Sequence, residues 1–244
     1  QVGDMGAYPD ISCLDRATRK HAKQDSDELG FSRFMQNTRE SRFYLDDQHA
    51  PATYFIRGNH EDFDYLGHFS RTTALDPFNK IHFMPDGSSH SFCLMDTTVQ
   101  VGAFGGIHPK DGHDHKSDPR TFHQTLLYSA FCDRSPDILL THAGPLHDDN
   151  PEGSPWLNSL AERIRPRVHL FGHHHTVVGP CQGPGDSLLV GLEHLCFNRQ
   201  GRLLEDSWGI LEISAQNCGF NFINKHNCHW LNDVKRNTYR HLLG

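Results

Sequence analysis

No two cysteines in this chain are spaced Cys-x-x-Cys, and the seven present (Cys13, Cys93, Cys132, Cys181, Cys196, Cys218 and Cys228) are odd in number. That usage argues against a disulfide framework and fits reduced thiols in a cytoplasmic protein. No apolar run approaches the roughly 20 residues that a membrane-spanning helix needs, and no signal-peptide pattern is visible. A membrane partner is therefore not expected. A basic surplus is missing too: the formal net charge is −7. This disfavours coating a long nucleic acid, but not an anionic substrate, because bound divalent cations reverse the local field. There is no internal repeat and no low-complexity tract.

What the chain has in excess is histidine, 20 of its 244 residues. So many imidazoles carry meaning only through spacing. The length suits one large domain with its own core, predicted over residues 1–214, followed by a polar tail at 215–244. Gln1-Val2 reads as the stub of a strand that ends at Gly3-Asp4-Met5-Gly6. A polar stretch to about Asp27 precedes a helix face made by Leu29, Phe31, Phe34 and Met35. Arg39 to Pro51 is mixed and loop-like at its end.

A short buried strand is predicted at Thr53–Ile56, stopped by Gly58, and Phe63, Leu66 and Phe69 recur at helical spacing. Ile81–Met84, Ser91–Met95 and Val99–Phe104 read as strands separated by breakers such as Pro85-Asp86-Gly87. A charged loop at Pro109–Pro119 leads to a helix over Thr121–Phe131. Ile138–Leu140 and Val168–Phe171 are buried strands around a helix marked by Trp156, Leu157, Leu160 and Ile164. Leu188–Val190, Leu192–Phe197 and Trp208–Ile213 then read as a β meander. This order predicts a two-sheet α/β domain with its helices outside.

Four times an apolar run ends in a group able to bind a metal. Val2 leads to Asp4, Ile56 to Asn59 and His60, Leu140 to His142, and Phe171 to His173 and His175. At one edge of a mainly parallel sheet these ends would share a crevice, where open α/β sheets take their ligands. Mixed oxygen and nitrogen donors suit Mn, Fe or Zn better than Ca or Mg, and no thiolate is among them. His174, between two of these imidazoles, would project elsewhere, as a structural residue or one that supports the ligands from behind. The loop His108, Asp111, His113, Asp114, His115 matches no defined site and reads as solvated. His147, Asp148 and Asp149 read as a flexible lip and not as ligands. Arg57 is open to two readings, a phosphate contact or a salt-bridge partner. His226, Cys228 and His229 are too loosely placed for zinc.

Taken together, Gly3-Asp4, Gly58-Asn59-His60-Glu61-Asp62, Thr141-His142 and Gly172-His173-His174-His175 resemble the motifs of the calcineurin-like metallophosphoesterase superfamily, in that family's order. The resemblance implies a four-layer αββα sandwich of two mixed β-sheets flanked by helices, with a two-metal site. Asp4 would bridge the cations. Asn59, His142 and His173 would complete one of them, and His175 would bind the other. His60 would stand off the metals and protonate the leaving oxygen, with Asp62 or Glu61 orienting it. The family opens with Asp-x-His on its first strand, so such a strand is expected ahead of Gln1. Gly6 stands where many relatives have Asp, and no Asp-Arg-Gly lies nearby, unlike the protein Ser/Thr phosphatases.

The function so implied is hydrolysis of phosphomonoesters or phosphodiesters by metal-activated water, using two divalent ions (Mn, Fe or Zn). The substrate would be a phosphorylated small molecule, a nucleotide or a phosphoprotein. Two alternatives stay open. One is a noncatalytic or one-metal member that serves as a binding or scaffold protein. The other is a metallohydrolase of amides or lactones that uses the same donor types.

Overall fold

Alternation of side chains along the strands decides how this chain layers. A computed structural model describes residues 1–23, 30–94, 97–110, 115–133, 135–198, 201–224 and 226. Its helices are α1 (Arg16–Ala22), α2 (Gly30–Phe34), α3 (Arg39–Leu45), α4 (Phe63–Leu66), α5 (Gln124–Ser129) and α6 (Pro155–Ile164). Its strands run from β1 (Thr53–Phe55), β2 (Thr73–Ala74), β3 (Ile81–Phe83), β4 (Ser89–Cys93) and β5 (Thr98–Phe104) to β6 (Ile138–Thr141) and β7 (Val168–Phe171). They finish with β8 (Val178–Gln182), β9 (Leu188–Gly191), β10 (Gly209–Ile213) and β11 (Cys218–Phe222).

A six-stranded sheet has the order β4-β5-β6-β7-β9-β8. Its four inner strands are parallel, with antiparallel β4 and β8 on the edges. A three-stranded sheet, β1-β3-β2, pairs β1 with β3 in parallel, and β10-β11 form an antiparallel ribbon. In β6, Leu139 points to one face while Ile138 and Leu140 point to the other, as a period of two requires. Leu139 joins Phe104, Phe122, Leu157, Leu160 and Ile164 in a core beneath α5 and α6. Ile138 and Leu140 join Ile56, Met84, Val101 and Val168, with Tyr54, Leu211 and Ile213 packed against them. Phe55, between Tyr54 and Ile56, turns the other way and packs with Phe31, Leu66, Ile81 and Phe83 under α2 and α4.

The result is a mixed α/β domain layered helix, sheet, sheet, helix. Its second β layer is made of the three-stranded sheet and the ribbon. Each fully buried Leu, Ile or Phe is worth roughly 1.5–3 kcal/mol, so these three clusters supply most of the driving force. Helix α6 shows the local rule at work. Ser154 precedes it and Pro155 occupies its first turn, where a missing N–H costs nothing. Leu157, Leu160, Ala161 and Ile164 form its buried stripe, and Arg165 leaves the helix in the left-handed region at φ 47°.

Several expectations are corrected. The polar stretch after Gly6 contains α1, capped by Asp15, whose carboxylate accepts from Ala17 N and Thr18 N. Strands β2 and β8 were not predicted. No strand forms at Leu192–Phe197, where Leu195 is exposed and an isolated bridge joins Phe197 to Leu203. Strand β11 falls inside the stretch read as a tail and pairs with β10. Gln1-Val2 is not a regular strand, yet its backbone lies along β1. The Gln1 amine donates to Tyr54 O at 2.8 Å, and Ile56 N donates to Gln1 O at 3.3 Å. Leu29, Asp111, His113, Asp114, Cys228 and His229 lie outside the described residues. Among the described residues no helix is long and apolar enough to cross a membrane.

Candidate metal centre

The loop after Val2 reaches the crevice through backbone that few side chains tolerate. Gly3, Asp4 and Gly6 have φ of 99°, 53° and 65°, and His173 and His175, in the loop after β7, have φ of 65° and 52°. Non-glycine residues in the left-handed region are uncommon and gather at functional sites. Here three of them are site residues expected from the sequence.

Asp4 is the hub. Its Oδ1 accepts from Asn59 N at 2.8 Å and His60 N at 3.0 Å, and its Oδ2 lies 3.4 Å from His142 Nε2. Gly58 gives the space for this, since a Cβ there would overlap the Asp4 carboxylate. Buried His142 places Nδ1 2.8 Å from Val2 O and Nε2 2.8 Å from Asn59 Oδ1. The His173 ring lies against the His142 ring, with centroids 4.8 Å apart. Asp4, His142 and His173 each offer a donor atom within 4.8 Å of the other two.

The donor chemistry fits a cation. A neutral His142 that gives its Nδ1 proton to the Val2 carbonyl keeps a lone pair on Nε2. That lone pair converges with oxygens of Asn59 and Asp4, so three acceptors meet without a donor among them, an arrangement that a positive ion resolves. Burial opposes ionisation of Asp4; without a cation, a protonated His142 facing it and donating to it, then His60 and the Asn59 N–H, outweigh burial and hold the carboxyl below the usual range, and a bound cation would take the place of that His142 proton. Burial, then the neighbouring His142 and His174, push His173 down to about 3. It is therefore the neutral imidazole, the form that binds metals.

His175 stands off this cluster. It is exposed, and its ring lies over His194 with centroids 4.7 Å apart. Nothing in the sequence marks His194, which follows β9 in a stretch with no motif around it. His174 accepts from Gly144 N at 3.2 Å and so steadies the loop after β6, in keeping with a structural role.

The partner of His60 differs from expectation. His60 Nδ1 lies 2.9 Å from Oδ2 of Asp15. The same oxygen accepts from the Tyr8 hydroxyl at 2.6 Å and the Thr18 hydroxyl at 2.9 Å. Asp62 instead caps α4 by accepting from Tyr65 N at 3.0 Å, and a carboxylate committed to a helix start does not orient the imidazole. Glu61 is buried and accepts from the backbone N–H groups of Met5, Ala7 and Gly58, so it ties the Asp4 loop to the Gly58 turn. Burial and the Asp4 charge push its carboxyl up to about 8. The signal for Asp15 was its position as a capping acid before Arg16-Ala17-Thr18, which marks a helix start but not its neighbour across the crevice.

Of the two readings of Arg57 the structure shows the salt bridge, made in the interior and not at the surface. Arg57 is buried, pairs with Asp86 at 2.7 Å, and donates to Pro119 O and Thr121 O at 2.9 Å each. Of the His-rich loop, His108 lies 2.8 Å from Ser154 Oγ and against Trp156, and His115 lies 2.8 Å from Thr121 O. Both steady the chain around α6 and Thr121.

Among solved structures, a sulfate thiohydrolase SoxB from Thermus thermophilus, in complex with glycerol, is 15% identical with a TM-score of 0.37. The alignment covers 85% of this chain and 41% of that one. A putative 5'-nucleotidase from Staphylococcus aureus, in complex with alpha-ketoglutarate, is 12% identical with a TM-score of 0.36, over 93% of this chain and 55% of that one. This chain thus spans well under two thirds of either protein. No curated protein sequence matches it. The calcineurin-like phosphoesterase profile matches residues 15–177, which include Asn59, His60, His142, His173 and His175. With two thirds of its length inside that match, the chain belongs to the calcineurin-like phosphoesterase family, whose members are metal-dependent phosphoesterases.

Proposed function

We propose that this protein hydrolyses phosphoric mono- or diesters at the Asp4–Asn59–His142–His173 centre, with a phosphorylated small molecule, nucleotide or phosphoprotein as substrate. The convergence of three acceptor atoms from Asp4, Asn59 and His142 around one point carries this reading. Asp4, Asn59, His142 and His173 would hold one divalent cation, and His175, with the outer side of Asp4, a second. When bound, such ions offset charge on phosphate oxygens and make water acidic enough to attack near neutral pH.

The chain's own residues supply the proton. His60 holds Nδ1 toward Asp15, which leaves Nε2 free to donate to the departing alkoxide. Asp15 steadies the protonated imidazole, and the Tyr8 and Thr18 hydroxyls fix the carboxylate in turn. General-acid transfer of this kind is worth typically 10²–10⁴-fold. Asp62 serves this step indirectly, by starting the helix after His60.

The test is hydrolysis of p-nitrophenyl phosphate and bis-p-nitrophenyl phosphate with manganese. His60→Ala should lose roughly 10²–10⁴-fold in kcat on an alkyl phosphate, whose alkoxide needs the proton, and far less on the p-nitrophenyl esters, while still binding manganese; Asp4→Asn should lose the ion. Cation binding with no turnover of either ester would favour the scaffold reading. Turnover of lactones or amides alone would favour another metallohydrolase.

A further inference from the structure

Helix α1 carries a row of cations along its outer face. Arg16, Arg19, Lys20 and Lys23 stand at i, i+3, i+4 and i+7, the spacing that puts side chains on one stripe of a helix. All of them are exposed, whereas Thr18, on the opposite face, is buried. The first turn holds no acidic residue, and among the described residues none of these cations forms an ion pair. Like charges at these spacings weaken a helix, and Arg16 opposes the positive end of the helix dipole. Arg19 returns something to the fold, since its Nη2 donates to Leu14 O at 2.8 Å. The row as a whole is kept off the core and gains its use from outside.

The helix is fastened to the proposed general acid. Asp15, its N-cap, puts Oδ2 2.9 Å from His60 Nδ1, and the Thr18 hydroxyl donates to that same oxygen at 2.9 Å. At the other end of α1, His21 stands near enough to His194 for its charge to act on that ring, and His194 lies over His175. Helix α1 therefore walls the crevice from His60 to His175, with Asp15 and Thr18 turned inward and the cations outward. A substrate held at the Asp4 centre meets the row where it leaves the crevice on this side. The formal net charge of −7 sharpens the contrast: a short polyanion is drawn to this rim and repelled by the rest of the surface.

We propose that the outer face of α1 binds the backbone of a single-stranded oligonucleotide whose scissile phosphate lies at the Asp4 centre, an inference that rests on the phosphoesterase reading above. Arg16 and Lys23 are about 10 Å apart along the helix, which is about three phosphate steps at the ~3.4 Å of a nucleic-acid strand. A mononucleotide with its phosphate at the metals has no charge left to span that length. The cations meet phosphates and not base edges, so binding is indifferent to sequence. A row this short suits a short segment of strand; coating a long nucleic acid would need a basic surface that the chain lacks.

Fluorescence anisotropy of a labelled short oligothymidylate with phosphorothioate linkages, which resist hydrolysis, tests this on the manganese-loaded chain. Each phosphate contact on a single strand adds about −0.7 to the slope of log K against log salt. Removing three contacts in the variant Arg16→Gln, Lys20→Gln, Lys23→Gln should therefore cut the weakening between about 50 and about 200 mM salt by about 20-fold. Gln is as good a helix former as Arg or Lys, and the melting temperature checks that this variant is folded. The charge-keeping variant Arg16→Lys, Lys20→Arg, Lys23→Arg should bind as the wild-type chain does. So should Arg165→Gln, an exposed cation just before β7 and so at the opposite edge of the sheet from the centre. An equal salt response in the wild-type chain and the Gln variant overturns the proposal. Tighter binding of an acidic phosphopeptide of equal charge than of the oligonucleotide overturns it as well. Binding through the row with no hydrolysis of any phosphoester would instead overturn the phosphoesterase reading.

Discussion

Acid should weaken this protein in part through a fully buried imidazole, His169 on β7. Its ring is fully buried, with Nε2 2.8 Å from Thr141 Oγ1. The Thr141 hydroxyl donates to Ala143 O at 2.7 Å, so Nε2 must carry the His169 proton. Nδ1 then has no partner, and a second proton there would be a bare buried charge. Burial holds the pKa down at about 3, against an ordinary 6.5. The unfolded chain therefore takes up a proton below 6.5 that the folded chain refuses until about 3. This group's contribution is fully present above 6.5 and is lost as pH falls through that window. At about 1.4 kcal/mol for each pH unit, the penalty at pH 5 is about 2 kcal/mol. Urea unfolding in chelator, from about pH 7.5 down to about pH 5, should be compared for the wild-type chain and His169→Gln. Gln keeps an N–H for Thr141 but cannot titrate. It should be less stable by about 1–2 kcal/mol at the upper pH, and the gap should close by about 2 kcal/mol at the lower. Other histidines titrate alike in both chains and cancel. A gap that stays constant across the range would show that His169 is not the buried base argued here.

Three further outcomes follow from the centre. Asp15→Asn keeps a cap on α1 but removes the charge facing His60, so kcat should fall about 10-fold with cation content unchanged, as elemental analysis would show. Gly58→Ala forces a methyl group into the Asp4 carboxylate; metal content should collapse, while the far-ultraviolet circular dichroism of the sheets persists. Manganese at about 100 times its Kd should stabilise the wild-type chain by about 2.7 kcal/mol, and a chelator should reverse the rise in melting temperature; in His142→Ala the rise should be absent.

How far the sequence reached depends on the kind of contact. Ile138-Leu139-Leu140 and Val168–Phe171 were legible as buried strands because an apolar run bounded by breakers has few other uses. Leu157, Leu160 and Ile164 gave α6 by their spacing, and the strand ends announced Asp4, Asn59, His142 and His173. Short polar elements escaped. Helix α1 lacks an apolar stripe of its own, and β8 carries Gly179, Pro180 and Gly183 around it, which read as breakers.

The amino-acid order by itself determined the layering and the donor set, since side-chain period and apolar runs are local properties of the chain. Only the tertiary structure decided which acid lies beside His60, that Asp62 is a cap, that Arg57 is locked in the interior, and that Cys181 meets His147. Those are contacts between residues far apart in sequence. The physical reason is that a carboxylate or thiol is chemically the same wherever it stands, and its role is set by what the fold brings within hydrogen-bonding or ligand distance.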